Sequence, residues 1–310
     1  MNQINLNSRE YDVIIVGAGF SGLYQLICLR DQLGMNCLVV ETGDDVGGTW
    51  YWNRYPGARC DTESHAYSYY FSDELLKEWT WSERYPGHAE IRRYMNFVAD
   101  KFDLKKDILF NHKVTSAQYN EDKVCWKITT NNKINLRSKF LITAVGCLSN
   151  ANIPKIKGLE NFKGKYYHTG NWPKNDVSFV GKKVGQIGTG STGIQAVPVI
   201  AEEAKHLTVF QRTANYSVPA RNKPLTENFK IHVKERFKYY RELLKKTPNG
   251  HPFEISDRLV ADVQEQEMQD IYEKAWEKGG LQFRGSFSDL VTNVEANKTA
   301  SDFIKNKINE

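Results

Sequence analysis

Tyr11–Gly22 reads YDVIIVGAGFSG, and the fold follows from how this stretch is read. Tyr11–Val16 is a short apolar, β-branched run, the pattern of a strand buried in a parallel sheet. Gly17-Ala-Gly19-Phe-Ser-Gly22 follows at once. Leu23, Leu26, Ile27 and Arg30 then recur at helical spacing until Gly34, and Cys37–Val40 is a second apolar strand closing in Glu41. Strand, glycine turn, helix, strand and acid, in that order, make a dinucleotide-binding unit. Gly17 allows the tight turn, Gly19 lets backbone approach a pyrophosphate, and Gly22 allows close packing of helix on strand. The helix start offers free N–H groups to the phosphates. Glu41 stands where a carboxylate accepts hydrogen bonds from a ribose diol and repels a 2′-phosphate, so this site suits the AMP half of FAD or NAD.

The pattern returns downstream. Gly181–Ile187 reads as a strand, Gly188-Thr189-Gly190-Ser191-Thr192-Gly193 as the turn, Ile194 to about Ala204 as the helix, and Leu207–Gln211 as the next strand. Arg212 is as far from Gly188 as Glu41 is from Gly17. A cation followed by the Thr213 hydroxyl replaces the acid, and an arginine fork recognises phosphate. The second site therefore prefers NADP. The contrast between Glu41 and Arg212 assigns FAD to the first site and NADPH to the second. The fold class is α/β, with two Rossmann-like domains and a helical region at the C-terminal end. Only one strand candidate follows the second turn, fewer than such a sheet normally has, so both nucleotide domains read as incomplete.

Bulk properties narrow the function further. The 310 residues are enough for about two domains. Hydrophobic residues make up 40% and charged residues 25%, ordinary for a globular protein. The net charge of +5 is interleaved along the chain and forms no basic stripe, which argues against nucleic-acid binding. The five cysteines include no C-x-x-C pair, so reduced thiols are expected, and no disulfide framework or metal site. The start, MNQINLNSRE, has no apolar core for a signal peptide. No apolar run approaches the ~18 residues of a membrane helix. A soluble, cytoplasmic protein is expected.

Between the two turns, Trp50, Tyr51, Trp52 and Tyr55 crowd a turn-rich segment. They either line a flat ring such as an isoalloxazine or plug the space under a loop. Arg59 and Asp61, two apart, share one face if the chain is extended, and an acid–base pair there could hold an anion beside a flavin. Residues 71–102 look mainly helical. Strands are expected at 109–119, 123–130 and 134–145. Val124–Ile128 alternates as in a solvated β-meander, and Phe140–Ala144 is apolar enough to re-enter the parallel sheet. The expected segments are 1–150 for FAD, 151–222 for NADP and 223–310 as a helical subdomain. The last has three helices, at 226–246, 256–278 and 287–309.

One further stretch carries a resemblance. Phe162-x-Gly164-x-x-x-His168-x-x-x-Trp172-Pro173 matches the fingerprint of type I Baeyer–Villiger monooxygenases. Gly48-x-Trp50 through Tyr55-Pro56-Gly57 and Asp61 matches a second motif of that family. With both glycine turns in order, the resemblance spans roughly Asp12 to Glu310 and is closest to the phenylacetone and cyclohexanone monooxygenase group.

The resemblance implies that NADPH reduces FAD, that the reduced flavin and O2 form a flavin C4a-peroxide, and that this attacks a ketone to give an ester or lactone. By motif position, Gly17, Gly19, Gly22, Glu41, Thr49, Trp50, Tyr67 and the Val114 backbone would hold FAD. Thr189, Gly190, Ser191, Thr192, Arg212 and Thr213 would hold NADPH, with Gly188 and Gly193 shaping the turn and Arg59 close by. Asp61 would lie beside flavin and nicotinamide and orient an active-site arginine. His168 and Trp172 would organise the linker between the sites. Family members are usually much longer, and their catalytic arginine lies beyond the position matching Glu310. The expectation is that this chain alone turns over poorly or not at all, as a truncated product or half of a split one. Two other readings compete: a flavin N- or S-monooxygenase, which usually lacks Trp-Pro in the fingerprint, and an inactive FAD- and NADP-binding fragment.

Overall fold

A computed structural model describes residues 10–310; the polar start on which the signal-peptide reading rests lies outside them. The chain groups into two units, one ending at Tyr55 and resuming over His88–Val177, the other made of Pro56–Gly87 and Ser178–Glu310. These units are not the expected segments 1–150, 151–222 and 223–310. They are defined by packing, whereas the segments follow the order of the motifs.

In the first unit, β1 (Glu10–Val16) is central to a six-stranded sheet. β2 (Cys37–Val40) and β6 (Asn135–Thr143) flank it in parallel, with Ile14 opposite Leu38 on one side and Leu141 on the other. β3 (Ile108–Leu109) continues the sheet beyond β2. β4 (Val114–Asn120) and β5 (Cys125–Thr130) pair antiparallel on the far side of β6. The apolar 140–144 run thus returns beside β1, and the alternating run forms the meander. α1 (Phe20–Leu26) continues as a π-helical stretch, Ile27–Gln32, and α2 is His88–Lys101. Ile14, Ile15, Leu23 and Leu26 are fully buried. Each such side chain contributes about 1.5–3 kcal/mol, more than a solvent-exposed ion pair such as Lys174–Asp44, which is worth about 0–1 kcal/mol.

Three expectations need correction. The 109–119 strand is interrupted, because Asn111 takes φ 60° between β3 and β4. The 71–102 stretch is helical only over Asp73–Glu78 and α2. Pro86 disfavours helix at the residue before it, and Gly87 instead forms an antiparallel bridge with Arg59. The tail carries four helices rather than three: α4 (Glu227–Glu235), α5 (Phe237–Lys246), α6 (Glu265–Lys278) and α7 (Val294–Asn309). Arg236, at φ −112° and ψ 20°, breaks the first expected helix in two.

The second unit contains β7 (Lys183–Ile187) and β8 (His206–Phe210), a parallel pair connected by α3 (Ser191–Glu203). Its tail helices bury Tyr272 among Phe283, Phe287 and Phe303, with ring centroids 5.3, 5.5 and 5.4 Å away. No helix of the described residues is long and apolar enough to cross a membrane.

Three histidines make stability depend on pH. Burial holds His65, His88 and His251 below their ordinary value of 6.5; neighbouring arginines push the same way, and Glu63 opposes at His65. The unfolded chain therefore takes up protons at a higher pH than the folded one. Unfolding free energy is expected to be level between pH ~7 and ~8 and to fall as the pH drops below ~6.5. Urea unfolding at a series of pH values measures this, and His65→Gln should flatten the slope. A wild-type stability that rises on acidification would contradict the account.

Candidate nucleotide sites

In the first unit the turn after β1 is shaped by contacts that leave no room for side chains. Gly17 has φ 105°, and a Cβ there would lie 2.6 Å from the Ala144 carbonyl oxygen. A Cβ on Gly22 would lie 1.8 Å from the Gly17 carbonyl oxygen. Gly19 faces Gly48 at backbone distance, so two glycine loops meet there. Glu41 is only 5% exposed. Its two oxygens each accept a backbone N–H at 2.7 Å, from Ala18 in the first loop and Gly43 in the second. Each oxygen keeps a further lone pair for a ribose hydroxyl.

The aromatic run divides by position. Trp50, Tyr51 and Tyr55 are buried. Tyr51 sits under the 43–48 loop, where a Cβ on Gly43 would come within 2.8 Å of its ring. Arg54, Arg92 and Lys174 lie 5.0, 5.1 and 5.6 Å from its centroid, and its hydroxyl donates to Asp44 at 2.7 Å. For Tyr51 the plug under a loop is therefore the better description. Thr49 is exposed at the start of a short helix, Thr49–Trp52. Val114 opens β4, close to His112, whose N–H donates to the Glu41 carbonyl at 2.9 Å.

The fingerprint lies wholly in the first unit, not with the Gly188–Gly193 turn. The Phe162 ring covers Gly164, where a Cβ would meet it at 2.7 Å. His168 Nδ1 accepts the Gly170 N–H at 3.1 Å, and Trp172 lies 5.4 Å from Tyr167. Pro173 precedes Lys174, which pairs with Asp44 at 2.6 Å.

The second unit repeats the turn. Gly188 has φ 101°, and a Cβ on Gly193 would meet the Gly188 carbonyl oxygen at 2.4 Å. Around Gly190 the space is open to 4 Å. Gln186 Nε2 donates to the Gly188 and Gly193 carbonyls at 3.2 and 3.0 Å and holds the turn shut. Thr189, Gly190, Ser191 and Thr192 lead into α3. Arg212 and Thr213 are exposed just beyond β8, and Arg212 has no ion pair with another described residue. Asn215 Nδ2 donates to the Thr189 carbonyl at 3.2 Å, tying this end to the turn.

Arg59 and Asp61 belong to the second unit, as does half-buried Tyr67. They do not act on each other. The Arg59 guanidinium faces Glu83 at 3.7 Å and the Tyr85 carbonyl at 3.4 Å. Asp61 Oδ1 accepts from Gln195 Nε2 at 2.6 Å. The extended spacing is right, but distant partners separate the expected pair. Gln186 and Gln195 escape sequence reading because an amide inside a βα unit has no local signature; only their positions beside the GTGSTG turn mark them.

Comparison with known proteins identifies the family. The model of the "Flavin-binding monooxygenase-like" family matches residues 10–275. A cyclohexanone 1,2-monooxygenase of Acinetobacter sp is 45% identical over 306 residues, covering 97% of this chain and 56% of the relative. A phenazine N-monooxygenase of Lysobacter antibioticus is 40% identical, covering 99% and 57%. The solved structure of an oxidized steroid monooxygenase bound to NADP superposes with a TM-score of 0.91 at 46% identity, covering 97% of this chain and 57% of that one. The chain thus spans little more than half the length of the curated relatives it matches.

Proposed function

The chain belongs to the flavin-binding monooxygenase-like family, and from that premise we propose that it serves an FAD-dependent, NADPH-consuming monooxygenase placing one oxygen of O2 beside a ketone carbonyl. The carrying observation is the pair of like-shaped turns with unlike partners: a buried acid, Glu41, at the first and an exposed Arg212, with no ion pair among the described residues, at the second. Gly17, Gly19, Gly22, Glu41, Thr49, Trp50, Tyr67 and Val114 are assigned to FAD. Gly188 to Gly193, Arg212, Thr213 and Arg59 are assigned to NADP. Gly17, Gly22 and Gly193 let the turns close tightly, and the open space around Gly190 leaves room for a pyrophosphate to approach the backbone. Bound FAD would supply the electron transfer and oxygen activation. The protein's part is to hold its ribose at Glu41, to select the 2′-phosphate at Arg212 and to present Asp61 near the reacting rings. The unpaired thiols fit a cytoplasmic setting.

Cofactor choice has a direct test. Arg212→Ala should weaken NADPH binding about 10- to 100-fold, the loss of a charge-assisted fork, and leave NADH nearly unchanged. Equal losses for both would remove the basis for assigning NADP.

The reaction is tested by product. Protein loaded with FAD is given NADPH with cyclohexanone, an aryl sulfide or phenazine. A lactone from the ketone supports the reading, whatever the rate. A second reading, nitrogen oxygenation, is favoured by the phenazine N-monooxygenase relative, and an N-oxide as the sole product would select it. NADPH oxidation that no substrate stimulates would favour nucleotide binding without turnover.

A further inference from the structure

Gln195 lies in the first turns of α3, just past the Gly188–Gly193 loop, and its side chain reaches the 59–61 segment. Its amide makes three hydrogen bonds there. Oε1 accepts the Arg59 N–H at 3.3 Å. Nε2 donates to the Arg59 carbonyl at 3.1 Å and to Asp61 Oδ1 at 2.6 Å. The amide thus pairs with both backbone groups of Arg59 as a neighbouring strand would, and then reaches on to the carboxylate. Its orientation is set by the backbone: oxygen must face the N–H, so the NH2 must face the two acceptors. Both hydrogens of Nε2 meet acceptors. On its other side the segment meets residues 83–87: Arg59 is bridged to Gly87, the Cys60 N–H donates to the Pro86 carbonyl at 3.0 Å, and the Arg59 guanidinium faces Glu83 and the Tyr85 carbonyl. A second observation points to the same place. The turn at Gly57, φ 77°, lies so close to α3 that a Cβ there would be 2.1 Å from the Gln195 carbonyl oxygen.

We propose that Gln195 is a positioning residue: its amide locks Asp61 and the Arg59 backbone to the helix that opens the second nucleotide site, so that nucleotide binding at that helix fixes the carboxylate. This rests on reading Gly188–Gly193 as the NADP site. The helix N-terminus and the acid then move as one piece. The sequence separates them by most of a half-chain's length, and the Gln195 side chain supplies a hydrogen bond from α3 to Asp61. Gln195→Glu preserves the shape but sets a carboxylate against the Arg59 carbonyl and the Asp61 carboxylate. Gln195→Leu removes both donor and acceptor at similar size.

Amide hydrogen exchange of the full chain tests the proposal, with and without NADP+. In Gln195→Leu the Arg59 amide should exchange at least ~10-fold faster than in wild type, as expected for a lost hydrogen bond. In Gln195→Glu it should do likewise, because repulsion from the Arg59 carbonyl and the Asp61 carboxylate drives the whole side chain, its accepting oxygen included, out of the segment. The Cys60 amide on Pro86 is unchanged in both. NADP+ should slow Arg59 exchange in wild type and not in the variants, a response that a merely structural contact would not give. Arg59 exchange that is equal in all three proteins, or slowed equally by NADP+ in all three, overturns the proposal. If wild type does not bind NADP+ in a direct titration, the NADP assignment and the nucleotide coupling fall together, and the nucleotide-free comparison still decides whether Gln195 holds the segment.

Discussion

Gly22→Ala is expected to destabilise the first unit by at least about 3 kcal/mol and to abolish FAD retention. The added methyl would lie 1.8 Å from the Gly17 carbonyl oxygen, well inside any real contact. Neither group can give way. Gly17 is pinned by its own close approach to the Ala144 carbonyl, at the end of β6, and Gly22 lies in the first turns of α1. To admit the methyl, α1 must lift from β1, and Leu23 and Leu26, both fully buried, would lose their packing. Gly193→Ala repeats the conflict more mildly in the second unit, at 2.4 Å from the Gly188 carbonyl oxygen. Gly190→Ala is the control. Its backbone has φ −70° and nothing lies within 4 Å, so the fold should hold while NADP affinity falls, because the methyl occupies the surface a pyrophosphate would approach. Thermal unfolding alongside nucleotide titration separates the three. A Gly22→Ala protein of wild-type stability would remove the packing argument.

Glu41→Gln should cost about 2–3 kcal/mol and FAD affinity with it. The Glu41 side chain joins two loops by accepting one N–H from each, in a site with almost no solvent. An amide supplies one oxygen and one NH2, so one of the Ala18 and Gly43 N–H groups must face a donor. A buried donor left without an acceptor is among the costlier defects a side chain of unchanged size can cause. Glu41→Ala leaves both donors unsatisfied and opens a cavity, and is expected to be worse. Chemical denaturation with FAD titration measures both effects. A Glu41→Gln protein that unfolds like wild type yet loses FAD would show that Glu41 serves only the ribose.

What could be read in the sequence depended on how locally each feature is determined. The two turns were legible because strand, glycine and helix are neighbours along the chain, and Gly22 and Gly193 each answer to the carbonyl of the first glycine of their own turn. The return of 140–144 beside β1 was legible from its apolar run, which pairs in parallel with Val13–Val16, although Phe140 itself is exposed. The Arg59 and Asp61 partners were not legible. Alternation gives their common face, but Glu83 and Gln195 are brought to them by the fold. The break in the expected 71–102 helix had a local sign, Pro86-Gly87, but its use as a bridge to Arg59 did not. Tyr51 was ambiguous for a similar reason: an aromatic run beside a glycine loop looks the same whether it faces a cofactor or, as here, three cations and Asp44.

The central claim is that one chain holds two nucleotides of different kinds, FAD at the Glu41 turn and NADP at the Arg212 turn. Equilibrium binding of FAD, NADP+ and NAD+ to the wild-type chain and to Arg212→Ala tests it most directly. The account predicts that wild type binds FAD and NADP+ together, without competition, and prefers NADP+ to NAD+. It predicts that Arg212→Ala loses the preference and keeps FAD. Competition between FAD and NADP+ for a single site, or a preference for NADP+ that survives Arg212→Ala, would contradict it.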